Sequence, residues 1–308
     1  MKILVTGSSG LVGQAIQKLS HGYENSNWIF VSSKDADLLD FNETKTLFNL
    51  HNPNIVIHLA AYVGGLFKNL NNNLEMFEKN ILINLNVIRC CHLYNVNKAI
   101  FCLSTCIFPN LVTYPINEEQ LHNGVPHESN YGYSYSKRML EVHCRLYNQK
   151  YNRQYICISP TNIYGKYDNF SLQDSHVVPG LIHQCYLAQK NNRPFIIKGS
   201  GKPLRQFLYS EDLAQIIINI TFDSILESNI IVAPSKEISI NELGSIISKI
   251  FNYNVIEYDK NYLDGQYKKT VDNKLLLKLY PNTKFTSIND GLKDTISWFI
   301  KNYNCVRK

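Results

Sequence analysis

No stretch of this 308-residue sequence holds enough consecutive apolar residues to cross a bilayer. The formal net charge is +6, yet no five or six like charges run together, so no nucleic-acid face is expected. The eight cysteines include no Cys-x-x-Cys pair and no finger-type spacing, and no metal is expected. Internal repeats and low-complexity segments are also missing. The opening MKILVTGSSG places only three apolar residues before a turn, too few for the core of a secretory signal. Reduced thiols, packed mostly as small hydrophobes, and a cytoplasmic location are the resulting expectations. What is present is 44% hydrophobic residues in a chain long enough for one large or two modest domains.

The first half alternates short apolar runs with helix-like segments. ILVT (3–6), WIFVS (28–32), IVIHLA (55–60), AIFCLS (99–104) and YICIS (155–159) read as strands. Their apolar runs are nearly continuous, as in a parallel sheet covered on both faces. Leu11, Val12, Ala15, Ile16 and Leu19 form a helical stripe, and segments 43–50, 74–95 and 134–149 read as further helices. This alternation predicts an α/β fold, a Rossmann-type doubly wound sheet with a smaller α/β substrate domain. The dinucleotide-binding domain is expected over 1–165 plus 206–234, and the substrate domain over 166–205 plus 235–308. In the latter, FIIK reads as a strand, 239–251 and 287–303 as helices, and DNFSLQDSH (168–176) as a polar loop.

TGSSGLVG sets Gly7, Gly10 and Gly13 between the first strand and the first helix. Gly7 suits a tight turn, Gly10 a close approach of backbone to pyrophosphate, and Gly13 close packing of helix on sheet. The free amides from Ser8 and Ser9 through Leu11 and Val12 would face phosphates. The second strand ends Ser32-Ser33-Lys34-Asp35. Hydroxyls and a lysine favour the 2′-phosphate of NADP(H), whereas an acidic residue holds the ribose of NAD. The alternative, in which Lys34 is surface and Asp35 takes the ribose, stays open at this point.

Tyr-x-x-x-Lys occurs four times, at Tyr94, Tyr133, Tyr186 and Tyr280, so spacing alone selects none. Context favours Tyr133 with Lys137: the pair opens a helix, and Ser104 precedes it at the carboxyl edge of a sheet strand, where open α/β sheets bind ligands. Residues four apart on a helix are stacked, and an ammonium beside a phenol lowers its pKa and poises it for proton transfer. Met139, Val142 and Leu146 read as this helix's apolar stripe.

GxxGxxG, HLAA (58–61), Ser104, YxxxK and PTNIYG (160–165) together resemble the extended short-chain dehydrogenase/reductase family over nearly the whole chain. The resemblance adds Leu59, Ala60, Ala61, Pro160, Thr161, Asn162 and Ile163 to the cofactor contacts, with Lys137 and His176. VGGLF (63–67), STCIFP (104–109), DSHVVPGL (174–181) and GSGKPLRQFLYSEDLA (199–214) are similar to a branch acting on GDP-4-keto-6-deoxy-D-mannose. That branch epimerises sugar carbons 3 and 5 and then reduces the carbon-4 ketone with NADPH. The resemblance implies that Ser104 and Tyr133 bind the ketone oxygen, that Tyr133 gives the last proton with Lys137 in support, and that Cys106 and His176 are the epimerisation acid/base pair. It places Gln184, Lys198, Arg205 and Asp264 at the GDP-sugar. Lys198 stands where many relatives carry tryptophan, and Gln184 where a basic residue is usual. The family also implies a homodimer through helices matching 74–95 and 134–149. The rivals are another NAD(P)-dependent sugar-nucleotide epimerase or dehydratase, and a silent cofactor-binding scaffold; the presence of Ser104, Tyr133 and Lys137 together speaks against the latter.

Overall fold

The structure is a computed structural model that describes every residue except Leu226, Leu263 and Gly265, and only the backbone of Phe67. Those parts of the VGGLF and DGQYKK stretches lie outside the described residues. In chain order the elements begin β1 (Lys2–Thr6), α1 (Leu11–Ser20), β2 (Asn27–Val31), α2 (Phe41–His51), β3 (Ile55–His58), α3 (Leu66–Asn71), α4 (Asn73–Leu93) and β4 (Lys98–Cys102). Then follow α5 (Tyr131–Tyr151), β5 (Gln154–Pro160), β6 (Asn162–Tyr164), α6 (Val177–Asn191), β7 (Phe195–Lys198), β8 (Leu204–Arg205) and β9 (Phe207–Tyr209). The chain closes with α7 (Ser210–Phe222), β10 (Asn229–Val232), β11 (Ile238–Ser239), α8 (Ile240–Ile250), β12 (Ile256–Asp259), α9 (Lys274–Leu279) and α10 (Ile288–Lys301).

Six strands form one parallel sheet in the order β10-β5-β4-β3-β1-β2. The winding direction reverses between β1 and β3, and ligands of open α/β sheets bind outside the carboxyl ends at such a reversal. Successive strand residues point to opposite faces. Leu4, Val56, Phe101 and Tyr155 join the core under α2, α4 and α5, while Ile3, Val5, Ile57, Ile100 and Ile156 join the core under α1 and α7. Both faces are dry, which is why these strands are apolar without alternation. A third core is drawn from residues 164–306 and includes Phe170, Ile182, Phe195, Leu243 and Phe299.

Two elements differ from the sequence expectation. Helix α6 was not anticipated, yet Val178, Leu181, Ile182, Cys185 and Ala188 are buried along it at helical spacing. Pro179 sits in its first turn, where a missing N–H costs little. The other difference concerns α5. Met139 is 43% exposed and Leu146 55%, so the apolar stripe read from the sequence faces outward. The buried face carries Ser134, Lys137, Arg138, Leu140, Glu141 and Cys144 instead.

Candidate active site

The turn after β1 is shaped by contacts that forbid a side chain. Gly7 has φ +71°, and a Cβ there would lie 2.7 Å from the Ala60 amide nitrogen. A Cβ on Gly13 would lie 2.5 Å from the Ser8 Cα, so α1 packs directly on the turn. Gly10 caps α1 with no side-chain hydrogen bond and no acid follows in the first turn, leaving its leading amides for an anion. Thr6 and His58 stand side by side at the ends of β1 and β3. Thr6 Oγ1 donates to His58 Nδ1 at 2.8 Å and accepts from the Ala60 amide at 3.4 Å, while His58 Nε2 donates to Asn84 Oδ1 at 3.2 Å. Burial, then Lys137, drives the His58 pKa down to about 3, so this ring is a neutral strut under HLAA. These features fit a dinucleotide.

At the end of β2, the Asp35 carboxylate turns back onto Ser32, accepting from its amide at 2.7 Å and its hydroxyl at 2.9 Å. Those bonds hold Asp35 below the usual carboxylate range. Ser33 and Lys34 are exposed beside it.

Beyond β4 the chain turns at Ser104, whose Oγ accepts from the Cys106 amide at 3.4 Å and opens the short helical turn Thr105–Ile107. Ser134 Oγ on α5 donates to the Cys106 carbonyl at 2.9 Å and fixes this turn against the helix. Lys137 is 1% exposed and its Nζ donates to the Cys102 carbonyl at 2.8 Å. It lies 5.8 Å from the centre of the Tyr133 ring. The expectation of a lowered phenol does not hold here: burial pushes Tyr133 well above its ordinary value, with Cys106 and Cys102 adding to it. Burial likewise lowers the Lys137 ammonium. Tyr133 therefore holds its proton, the state a final proton donor requires. Burial raises the Cys102 thiol to about 11, which keeps it inert packing.

The second half of the chain meets this site through the β8–β9 corner. Gln206 is 1% exposed; its Nε2 donates to the Pro234 and Val271 carbonyls at 2.8 and 3.1 Å, and its Oε1 accepts from the Val271 amide at 2.9 Å. That clamp places Arg205 beside segment 266–271, where Arg205 Nη2 donates to the Gln266 carbonyl at 2.6 Å. Lys269, which sequence reasoning missed, belongs to the same patch. Burial lowers its ammonium, Arg205 acts the same way, and Cys106 opposes them. No spacing signal links Lys269 to Arg205, because only the fold joins them. Asp264 instead clamps the Gly199–Ser200 turn, accepting from Ser200 N at 2.9 Å and Ser200 Oγ at 2.6 Å. Lys198 Nζ lies over the Tyr262 ring at 4.5 Å. Gln184 is half-buried on α6, and His176 is exposed at that helix's N-terminus.

The fold and this constellation define a Rossmann-type enzyme of the extended dehydrogenase/epimerase class. Residues 3–224 match the NAD dependent epimerase/dehydratase family, and the chain belongs to it. It is 46% identical to the GDP-L-fucose synthase of Dictyostelium discoideum, covering 99% of this chain and 97% of the relative. It is 42% identical to a probable GDP-L-fucose synthase of Drosophila melanogaster, over 100% of this chain and 99% of that one. A solved GDP-L-fucose synthetase from Naegleria fowleri bound to NADP superposes with a TM-score of 0.95 at 43% identity, covering 100% of this chain and 95% of the other.

Proposed function

We propose that this enzyme converts GDP-4-keto-6-deoxy-D-mannose to GDP-L-fucose, by epimerisation at carbons 3 and 5 and NADPH-dependent reduction at carbon 4. The observation that carries the reading is the position of Cys106. Its amide is held by Ser104 Oγ and its carbonyl by Ser134 Oγ, the residue next to Tyr133 on α5, so its backbone is tied between the two ketone-handling residues. A ketone-handling pair and a thiol able to exchange a proton are thus held together by one turn and one helix, as a keto sugar needs. The full-length relatives named GDP-L-fucose synthase support the same substrate.

Gly7, Gly10 and Gly13 with the α1 amides would hold the pyrophosphate, Leu59 to Ala61 and Pro160 to Ile163 would line the cofactor, and Ser33 with Lys34 would take a 2′-phosphate. NADPH, when bound, supplies a hydride to carbon 4. The ketone acidifies the hydrogens on both neighbouring carbons, so one acid/base pair serves both epimerisations. Cys106 and His176 take and return those protons. Ser104 and Tyr133 hydrogen-bond the oxygen on which enolate charge gathers. Tyr133 then gives its proton to the carbon-4 alkoxide. Arg205 and Lys269 grip the diphosphate, the arginine by a two-donor fork.

The outward apolar faces of α4 and α5 support a homodimer. Leu74 is 65% exposed, and Phe77, Tyr131 and Met139 join it in one shallow groove. Apolar side chains gathered on a helix pair are the usual mark of an interface. A cytoplasmic location is part of the same reading. The decisive experiment incubates the purified chain with GDP-4-keto-6-deoxymannose and NADPH and identifies the nucleotide sugar formed. Recovery of unchanged substrate, or of a product reduced at carbon 4 without epimerisation at carbons 3 and 5, would overturn the reading.

A further inference from the structure

Three donors on the buried face of α5 reach the end of β4 and the turn that carries Cys106. Lys137 Nζ donates to the Cys102 carbonyl at 2.8 Å, Ser134 Oγ to the Cys106 carbonyl at 2.9 Å, and Arg138 Nε to the Ile107 carbonyl at 2.5 Å. Ser134 and Arg138 are four apart, so they stack on one side of the helix and take two successive carbonyls. Cys106 and Ile107 end the short helical turn Thr105–Ile107. The last carbonyls of a helical turn have no partner within it, and α5 supplies both.

Arg138 does more than close this turn. It is 4% exposed, and its Nη1 donates to the Gly124 carbonyl at 2.7 Å. Between Ile107 and Gly124 the chain runs out in a loop. The loop's neck is closed by the bridge between Pro109 and Pro126 and by the Asn110 amide, which donates to the Val125 carbonyl at 2.9 Å. The far side is tied to the second half of the chain. There the Ile116 amide donates to the Thr270 carbonyl at 3.0 Å, and the Ile116 carbonyl accepts from the Asp272 amide at 2.6 Å. Tyr114 Oη adds a bond to the Lys268 carbonyl at 2.6 Å. The loop thus connects the Cys106 turn to the segment that carries Lys269, and Arg138 anchors its root on α5.

The residue type suits that anchor. Glu141, three residues further along α5, is engaged by His122 at 2.9 Å and by Arg145 at 3.8 Å. Arg138 Nη2 is buried without a hydrogen-bond partner among the described residues. A methionine would avoid the cost of burying a charge but offers no donor. A lysine donates from a single point, whereas the fixed fork of a guanidinium holds two carbonyls at once.

We propose that Arg138 is a positioning residue for the epimerisation step. By gripping the Ile107 and Gly124 carbonyls together, it fixes the turn that aims the Cys106 thiol and isolates that turn from movement of the 268–272 segment. Arg138 exchanges no proton itself. The inference rests on the reading of Cys106 as a proton-exchanging group.

The test uses the full chain and follows deuterium uptake from heavy water at carbons 3 and 5 of GDP-4-keto-6-deoxymannose, with KM and Tm. Beside it runs the initial rate of NADP⁺ reduction by GDP-L-fucose. That sugar already has its final configuration at carbons 3 and 5, so the reverse oxidation reads Tyr133 and Lys137 without Cys106. Arg138→Lys keeps the charge and loses the fork. It should cut uptake by roughly 10- to 100-fold, the order of loss that a misplacement of about 1 Å produces. Reverse oxidation, KM and Tm should stay near wild type, and Arg138→Met should lose at least as much uptake. Added to Cys106→Ser, Arg138→Lys should lower uptake no further, because residues that act as a unit are not additive. Wild-type uptake in both Arg138 variants overturns the proposal. So does the same fold loss in the Cys106→Ser background, or a loss of uptake, reverse oxidation and Tm together, which marks a structural brace. If wild type itself takes up no deuterium, the proposed reaction fails, and this inference falls with it.

Discussion

Lys137 on α5 donates to the carbonyl oxygen of Cys102, the last residue of β4, at 2.8 Å. The bond crosses from helix to sheet and fixes the ammonium beneath Tyr133. A charge-assisted bond of this kind is worth about 1.5–3 kcal/mol, while the cost of burying the ammonium works against it. The two act against each other, so the bond by itself does not account for keeping a lysine here. Lys137→Met should fold with a Tm within a few degrees of wild type yet lose roughly 10²-fold or more in NADPH oxidation. Thermal denaturation beside steady-state rates checks both halves. A variant that turns over at the wild-type rate would remove Lys137 from the mechanism.

The Asp35 carboxylate is committed to Ser32, which leaves Ser33 and Lys34 exposed beside it and, on the proposed reading, open to a ribose 2′-phosphate. NADPH should accordingly be used well above NADH. Lys34→Glu should narrow or invert that preference by replacing attraction for the phosphate with repulsion. Rates with both cofactors at low and high salt read it out. A wild-type preference for NADH would sink the assignment.

Arg205 and Lys269 share a patch, so their effects should be similar in kind. Arg205→Ala should raise the KM for the GDP-sugar by about 1.5–3 kcal/mol, the worth of a charge-assisted bond. Lys269→Met should do the same by removing a compact ammonium in place of a two-donor fork. Titration of each variant with NADPH should give a near-normal affinity. Equal weakening of cofactor and sugar would mean that the patch faces the wrong ligand.

The sheet and its helices were legible because both faces are buried, so each strand announces itself as a short unbroken apolar run. The phosphate turn was legible because contacts under 3 Å at Gly7 and Gly13 demand glycine and sit next to a strand and a helix. Helix α6 was not, since its buried residues follow a loop whose motif drew the reading toward His176. The stripe of Met139 and Leu146 misled for a physical reason: periodicity reports an apolar face and says nothing of whether it meets this chain's core. Lys269 was missed because its meaning lies in a neighbour far away in sequence, Arg205.

The two halves of the proposed mechanism should separate by mutation. Cys106 is 8% exposed, and its backbone is fixed on both sides, by Ser104 through the amide and by Ser134 through the carbonyl. Cys106→Ser therefore keeps the turn but replaces a thiol with a hydroxyl that does not ionise in the working range. Deuterium uptake at carbons 3 and 5 should collapse. Tyr133→Phe leaves that pair intact and removes the proton donor, so NADPH oxidation should fall by roughly 10²–10⁴-fold. Some deuterium exchange should survive, slowed by loss of one hydrogen bond to the enolate oxygen. Because burial holds Tyr133 protonated, the wild-type reductive step should show no loss attributable to this group until well into the alkaline range. Mass spectrometry of the keto sugar, run beside NADPH absorbance, follows both steps in one sample. If Cys106→Ser exchanges deuterium as fast as wild type, the thiol is core packing and the proton must pass through another residue.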